Sequence, residues 1–455
     1  MNDNSFISGQ SYEPLRRLLS DSKIKEIQSQ IRVNNVAEKV NWDEKTIALN
    51  ELEQSNWQPK LLIAIDGDYS KSIIENGYPG AEIGYITVST VVILLDKVRE
   101  LEKSKFIDPK KFRETEQPTS IDSLFVGCNV VLKGEDSAKS SMRKILYDEL
   151  KKCRVFKDTE TLLDTYEYLL SGKKGGTPPE CPHENCNARY ELKKGEYYCE
   201  SCHGKLYSSD ALRLHELLNP SGTSGEMFGQ IMETLKKLQL IHLLRSFEQH
   251  PKYFSLLRDI AFFIEGTLAV FNAASWIAIP IRAELIRLNE KVRKEFNTDL
   301  IILGVERTGN FVNHFSAIDT KNDGSSDNFP NQSAFLLTNE YIKKHIVFND
   351  NPDFIYLRDT SFGRKFFYKN KAGYRVVSSI ATYNTYQAET KTAFPAQFPR
   401  LADVLLLLDK LVSSQYENSV TPLATAHSEA AIPLNLGKAI FEDIARKIKE
   451  QSEKG

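Results

Sequence analysis

LLIAIDGDYS, residues 61–70, decides the fold. Five apolar residues run into Asp66, Gly67 and Asp68. A run this short, bounded by Gly, predicts a strand buried on both faces and ending at Asp66. Such strands belong to α/β sheets, whose ligand sites form where the strands end. DIAFFIEGTL, residues 259–268, has the same form: an apolar run, then Glu265 and Gly266. Taken singly, each phrase is an ordinary turn. Taken together, they predict two carboxylates side by side, an arrangement that binds divalent metal for phosphoryl chemistry.

The 455 residues are 41% hydrophobic and 26% charged, an ordinary soluble composition for two or three domains. The net charge of -2 gives no global attraction to nucleic acid, so a DNA-binding surface must be local or supplied by a partner. The polar start, MNDNSFISGQ, has no signal-peptide pattern. The apolar stretch 260–281 is interrupted by Glu265, Gly266, Asn272 and Pro280, which argues against a membrane span. Six cysteines, four of them clustered, fit a reducing cytoplasm better than a disulfide scaffold.

Composition divides the chain into a helical lead-in (1–58), a first part of the α/β domain (59–170), an insert between two Gly- and Pro-bearing linkers (171–225), and a second part with C-terminal helices (226–455). Residues 82–95 are β-branched and predict a strand paired with 61–66. Residues 100–125 read as irregular. An apolar stripe from Phe228 to about His250 predicts a long helix. It is followed by a strand at 260–265, a helix at 282–297 and a strand at 300–305. Residues 354–368 and 374–380 predict antiparallel strands. Residues 403–412 and a last segment from about Ala424, carrying His427, predict helices.

Within the insert, Cys181, Cys186, Cys199 and Cys202 have the form C-x4-C, twelve residues, C-x2-C. Two close pairs across a short Gly-containing connection predict a zinc ribbon. Four thiolates close the coordination shell, so this zinc is structural. It folds an insert too small for its own core. His183 and His203 lie nearby but are not needed as ligands.

Four short motifs, in order along the chain, resemble those of NurA-type nucleases. IAIDGD at 63–68 resembles the family's first motif and FFIEGTL at 262–268 its second. LLRSFE at 243–248 resembles the helical segment bearing a family Glu, here Glu248, and PLATAH at 422–427 the motif bearing the active-site His, here His427. Four positions depart from the family pattern. Glu265 stands where Asp is usual, Thr267 and Asp68 where Ser is usual. The family's Tyr falls on Ser419, with Tyr416 near.

The resemblance implies an RNase H-like mixed sheet flanked by helices. It implies a Mn²⁺- (or Mg²⁺-) dependent DNase, with Asp66, Glu248, Glu265 and His427 as catalytic metal-site residues. It further implies 5′→3′ exonuclease and single-strand endonuclease activity, a homodimer, and a HerA-type hexameric ATPase as partner in DNA end processing or defence. Arg307, just past a strand end, reads as a surface arginine, with phosphate contact as the alternative. Two competing readings are a non-catalytic subunit that binds DNA ends or the ATPase, and an actin-like ATPase. The second lacks a convincing Gly-rich phosphate loop.

Overall fold

In the computed structural model, the described residues are 22–31, 45–53, 55–75, 80–95, 116–173, 175–321, 324, 328–383, 390–412, 418–431 and a few between 443 and 449. The chain divides into two units, Met1–Val40 and Asn41–Gly455. In the first, the described part is helix α1 (Ser22–Gln30). The helical lead-in therefore stops short of its expected end at 58. Residues 47–48 form strand β1 of the second unit instead. No helix among the described residues is long and apolar enough to cross a membrane.

The second unit is built on a mixed sheet. Strand β2 (Leu61–Glu75) pairs antiparallel with β3 (Ala81–Leu94), and β3 with β4 (Glu116–Val126). Helices α2 (Ala138–Lys152) and α3 (Leu162–Ser171) follow, each opened by a capping box, at Ser137 and Thr161. The small hairpin β5 (Glu196–Tyr198) and β6 (Lys205–Tyr207) stands apart as its own sheet. Helix α4 (Gly225–Gln249) precedes β7 (Ile260–Glu265), and α5 (Ala278–Phe296) precedes β8 (Ile301–Glu306). Helix α6 (Asn310–Asp319) leads to β9 (Ser333–Leu336), β10 (Gly363–Lys369) and β11 (Arg375–Ala381). Helices α7 (Leu401–Leu411) and α8 (Thr421–Ala430) close the described fold.

The strand order is β1-β9-β10-β11-β8-β7-β2-β3-β4. The three central strands β2, β7 and β8 run parallel, and the arms on either side are antiparallel. Alternation along β2 and β7 sends Ile63, Ile65, Phe262 and Ile264 to one face, under α4 and α5. It sends Leu62, Ala64, Ala261 and Phe263 to the other, under α7 and α8. Both faces are thus covered, as the continuous apolar runs require.

Three expectations are corrected here. The strand that begins at Leu61 does not end at Asp66. It runs on for nine residues, 67–75, held by β3 alone, while its other neighbour β7 stops at Glu265. Residues 116–126, expected to be irregular, form β4. Its Pro118 is tolerated because β4 is the edge of the sheet. Residues 354–362 are turns, so the first of the two expected antiparallel strands begins only at Gly363.

Candidate active site

Parallel pairing aligns Ile65 with Ile264, which puts the next residues, Asp66 and Glu265, at one level on adjacent strands. Glu265 in turn pairs with Val305, so β8 delivers Arg307 just beyond. From the other face, α8 packs on β2 and β3 and presents His427. Asp66 is fully buried. One of its oxygens accepts the Gly67 N–H at 2.7 Å, and the other lies 3.1 Å from His427 Nδ1 and 3.6 Å from Arg307. Arg307 also lies 3.3 Å from His427 Nδ1 and 3.9 Å from Glu265.

Helix α4 is buried nearly all round, so two lysines in its middle need counter-ions. Lys236 has them: its Nζ is 2.6 Å from Glu233 and 2.5 Å from Glu265. Burial opposes its charge, but Glu233, Glu265 and Asp66 together outweigh this and hold its pKa above the ordinary lysine value. Gly67 makes this contact possible. A Cβ there would stand 2.9 Å from Met232 and 3.3 Å from the Lys236 stem. Lys237 lies 3.5 Å from Glu233, and burial pushes its pKa down. Gly266, with φ +88°, turns the chain sharply after Glu265, a conformation that favours glycine.

Asp66, Glu265 and His427, singled out in the sequence, are therefore brought together. Glu248 is not in this group. It sits twelve residues beyond Lys236, about 18 Å along the helix axis. There it accepts bonds from Arg287 at 2.6 Å and 2.8 Å and from Lys291 at 2.9 Å. It is half-buried, and these two cations outweigh desolvation and bring its pKa down to about 2. Arg287 ties it to Glu284, which binds Arg245 and through it Glu160. The helical acid joined to this group is Glu233, through Lys236, which pairs with both Glu233 and Glu265. Sequence reading missed it, together with Lys236. The available signal was E-x-x-K-K in the middle of an otherwise apolar helix, where i,i+3 spacing puts the acid and Lys236 on one face. Arg307, expected at the surface, is partly buried among the acids. Glu306 pairs with Lys365 instead. Tyr416 lies outside the described residues, and Ser419 is buried.

In the insert, the four thiols lie within 4.8 Å of one another. Cys181 and Cys202 are 3.7 Å apart, and Cys186 and Cys199 3.9 Å. Sulfurs about 2.3 Å from a tetrahedral ion would be about 3.8 Å apart, so the spacing fits zinc. The backbone N–H groups of Cys202 and Ser201 pull the Cys199 thiol down to about 7. The apolar support here is small, chiefly Tyr190 and Leu206. His183 instead lies 2.8 Å from the Lys205 carbonyl.

Acids at one level of two neighbouring strands thus share one end of the sheet with an imidazole, an arginine and a buried lysine. Comparison with known proteins gives the family. The family model described as NurA domain matches residues 60–432, and the chain belongs to that family. The crystal structure of the NurA nuclease from Sulfolobus solfataricus aligns over 97% of this chain and 98% of that chain, with 8% identity and a TM-score of 0.35. No curated protein matches.

Proposed function

We propose that the protein is a divalent-metal-dependent deoxyribonuclease whose active site is Asp66, Glu265, Glu233 and His427, with Lys236 and Arg307 as its cations. The observation that carries this reading is the alignment of Asp66 and Glu265 on adjacent parallel strands, with His427 3.1 Å from Asp66. The donors are carboxylates and an imidazole, which suit hard Mn²⁺ or Mg²⁺; in this structure Lys236 and Arg307 stand against the acids, whose ligand atoms are not drawn to metal-site spacing. Bound there, the ion would supply Lewis-acid polarisation of the scissile phosphate and an activated water.

The chain's own residues do the rest. Asp66 is held by the Gly67 N–H and has no freedom to turn away. Lys236 lets three acids gather without mutual repulsion. Arg307 offers N–H groups to a phosphate oxygen. His427 is partly exposed, with Nδ1 toward Asp66, which fixes the ring so that Nε2 can exchange a proton with the substrate or solvent.

The strand order supports an RNase H-like reading: the antiparallel trio β4-β3-β2, then β7 and β8 parallel to β2. The spacing of the four cysteines supports a structural zinc ribbon in 171–225, inserted between the two parts of the nuclease domain, 59–170 and 226–455. Family membership supports the finer assignments: 5′→3′ exonuclease and single-strand endonuclease activity, homodimerisation, a cytoplasmic setting and a HerA-type ATPase partner in end processing or defence.

The test is degradation of linear double- and single-stranded DNA by the purified chain. It is run with Mn²⁺, Mg²⁺ or EDTA, with and without the ATPase, beside Asp66→Asn. Metal-dependent degradation that the variant lacks is expected. Equal inertness of both proteins under every condition would leave the non-catalytic binding subunit as the better reading.

A further inference from the structure

Away from the candidate active site, a cavity of about 310 Å³ opens between α5, the turn 355–361 and the start of β10. None of the candidate active-site residues lines it. Its cations are Arg282, Arg358, Arg364, Lys365 and Lys391, and no Asp or Glu lines it among the described residues. Lys365 has Glu306 as its counter-ion, and Arg364 donates to the Thr392 carbonyl and lies over the Phe398 ring. Arg282 is different. One of its terminal nitrogens donates to the carbonyls of Ser361 and Arg358, but its Nε is buried with no hydrogen-bond partner. Burial lowers its pKa, and the carboxylate that opposes this, Asp359, makes no ion pair with it among those found. A desolvated guanidinium N–H without an acceptor is costly. Nε itself is closed to solvent, so a ligand oxygen in the cavity would meet this guanidinium through its terminal nitrogens.

The rest of the lining fixes the ligand's other half. Leu337, Ile342, Ile355 and the Tyr356 ring give one apolar wall, and Thr382 and Thr390 add hydroxyls. The volume lies at the lower end of small-molecule sites, about 300–1,000 Å³, room for one nucleotide. Arginine is the side chain best matched to phosphate oxygens, through its planar fork of donors. We propose that this cavity binds one nucleotide by its phosphate, with the base against the apolar wall, either as a free mononucleotide or as the end of a DNA strand. The proposal goes beyond the nuclease reading and does not need it.

The test is calorimetric titration of the full chain in EDTA, so that no divalent ion bridges a phosphate to the carboxylates of the active site. The probes are dAMP, deoxyadenosine, inorganic phosphate and a short 5′-phosphorylated oligo(dA). Binding of dAMP, competition by phosphate and no binding of the nucleoside are expected. Arg282→Gln should weaken binding at least about tenfold, the loss of one charge-assisted contact. Arg358→Gln, at an exposed position that asks less of the fold, should weaken it too, and Asp66→Asn should leave it unchanged. Binding of dAMP identifies the free nucleotide as ligand. Binding of the oligonucleotide alone, weakened by the same arginine variants, identifies the strand end. Absence of binding by every phosphate-bearing probe, or binding that neither arginine variant weakens, overturns the proposal. Intact dAMP binding without DNA degradation would count against the nuclease reading alone.

Discussion

Replacing Lys236 with Met tests whether this ammonium balances the acids of the active site. The substitution keeps the stem that crosses Gly67 and removes the charge 2.6 Å from Glu233 and 2.5 Å from Glu265. Breaking a fully buried ion pair from one side costs about 3–5 kcal/mol. Glu233 and Glu265 keep contact with solvent, so a loss of about 2 kcal/mol is expected here. The loss should be constant from neutral pH to about 9. A pKa held above the ordinary lysine value of about 10.4 leaves the group charged in both folded and unfolded chains below that value. Above it, the native protein's own advantage fades as pH rises through the raised pKa. The assay is urea denaturation in EDTA and in Mn²⁺. In Mn²⁺ the deficit should shrink or reverse, because the ion no longer competes with a fixed positive charge. A tenfold gain in affinity is about 1.4 kcal/mol. A variant as stable as wild type in EDTA, with no greater response to Mn²⁺, would refute the charge-balance argument.

Three further outcomes are expected. Asp66→Asn should reduce DNA degradation by at least about a thousandfold, read on linear substrates in Mn²⁺ with the fold checked by circular dichroism, since metal-site charge stabilisation contributes several kcal/mol. Glu248→Gln should leave cleavage nearly intact and cost about 2 kcal/mol of stability at neutral pH, after allowance for its half-buried position. A carboxyl depressed to about 2 stabilises above its unfolded pKa, so the difference from wild type should vanish as pH falls through about 2 in acid titrations of unfolding. Stripping zinc should release one ion per chain, read with a chromophoric chelator. It should also open residues 181–205 to proteolysis while β2 and β7 stay protected, because the apolar support around Cys181 and Cys199 is small, whereas Tyr207, Leu212 and Leu214 belong to the main core.

Much of the centre of the fold was legible in the sequence. Buried parallel strands carry uninterrupted apolar runs, and 61–65, 260–264 and 301–305 are such runs. The full extent of β2 was not legible, since residues 67–75 are polar and held by one neighbour only. Edge strand β4 was masked by its Pro and polar residues. In the site, Asp66 and Glu265 were readable because charge at the end of an apolar run is locally visible. Glu233 and Lys236 answer to a strand end that lies 29 residues from Lys236 in the chain, a relation no local pattern carries. Glu248 was misplaced for the same reason: a short motif match said nothing about which turn of a 25-residue helix faces the acids.

Asp66 lies inside a 15-residue strand, while Glu265 ends a short one and is followed by Gly266 at φ +88°. One anchor is clamped by hydrogen bonds that continue on both sides of it. The other is the last residue of its strand, where the chain turns away after the Gly266 N–H donates to the Val305 carbonyl. If the two hold an ion as proposed, adjustment to its radius comes more readily from the Glu265 side. On that proposal the extra methylene of glutamate adds reach at the strand end, so tolerance for ions of different size and precision of the phosphate position would reside in separate strands.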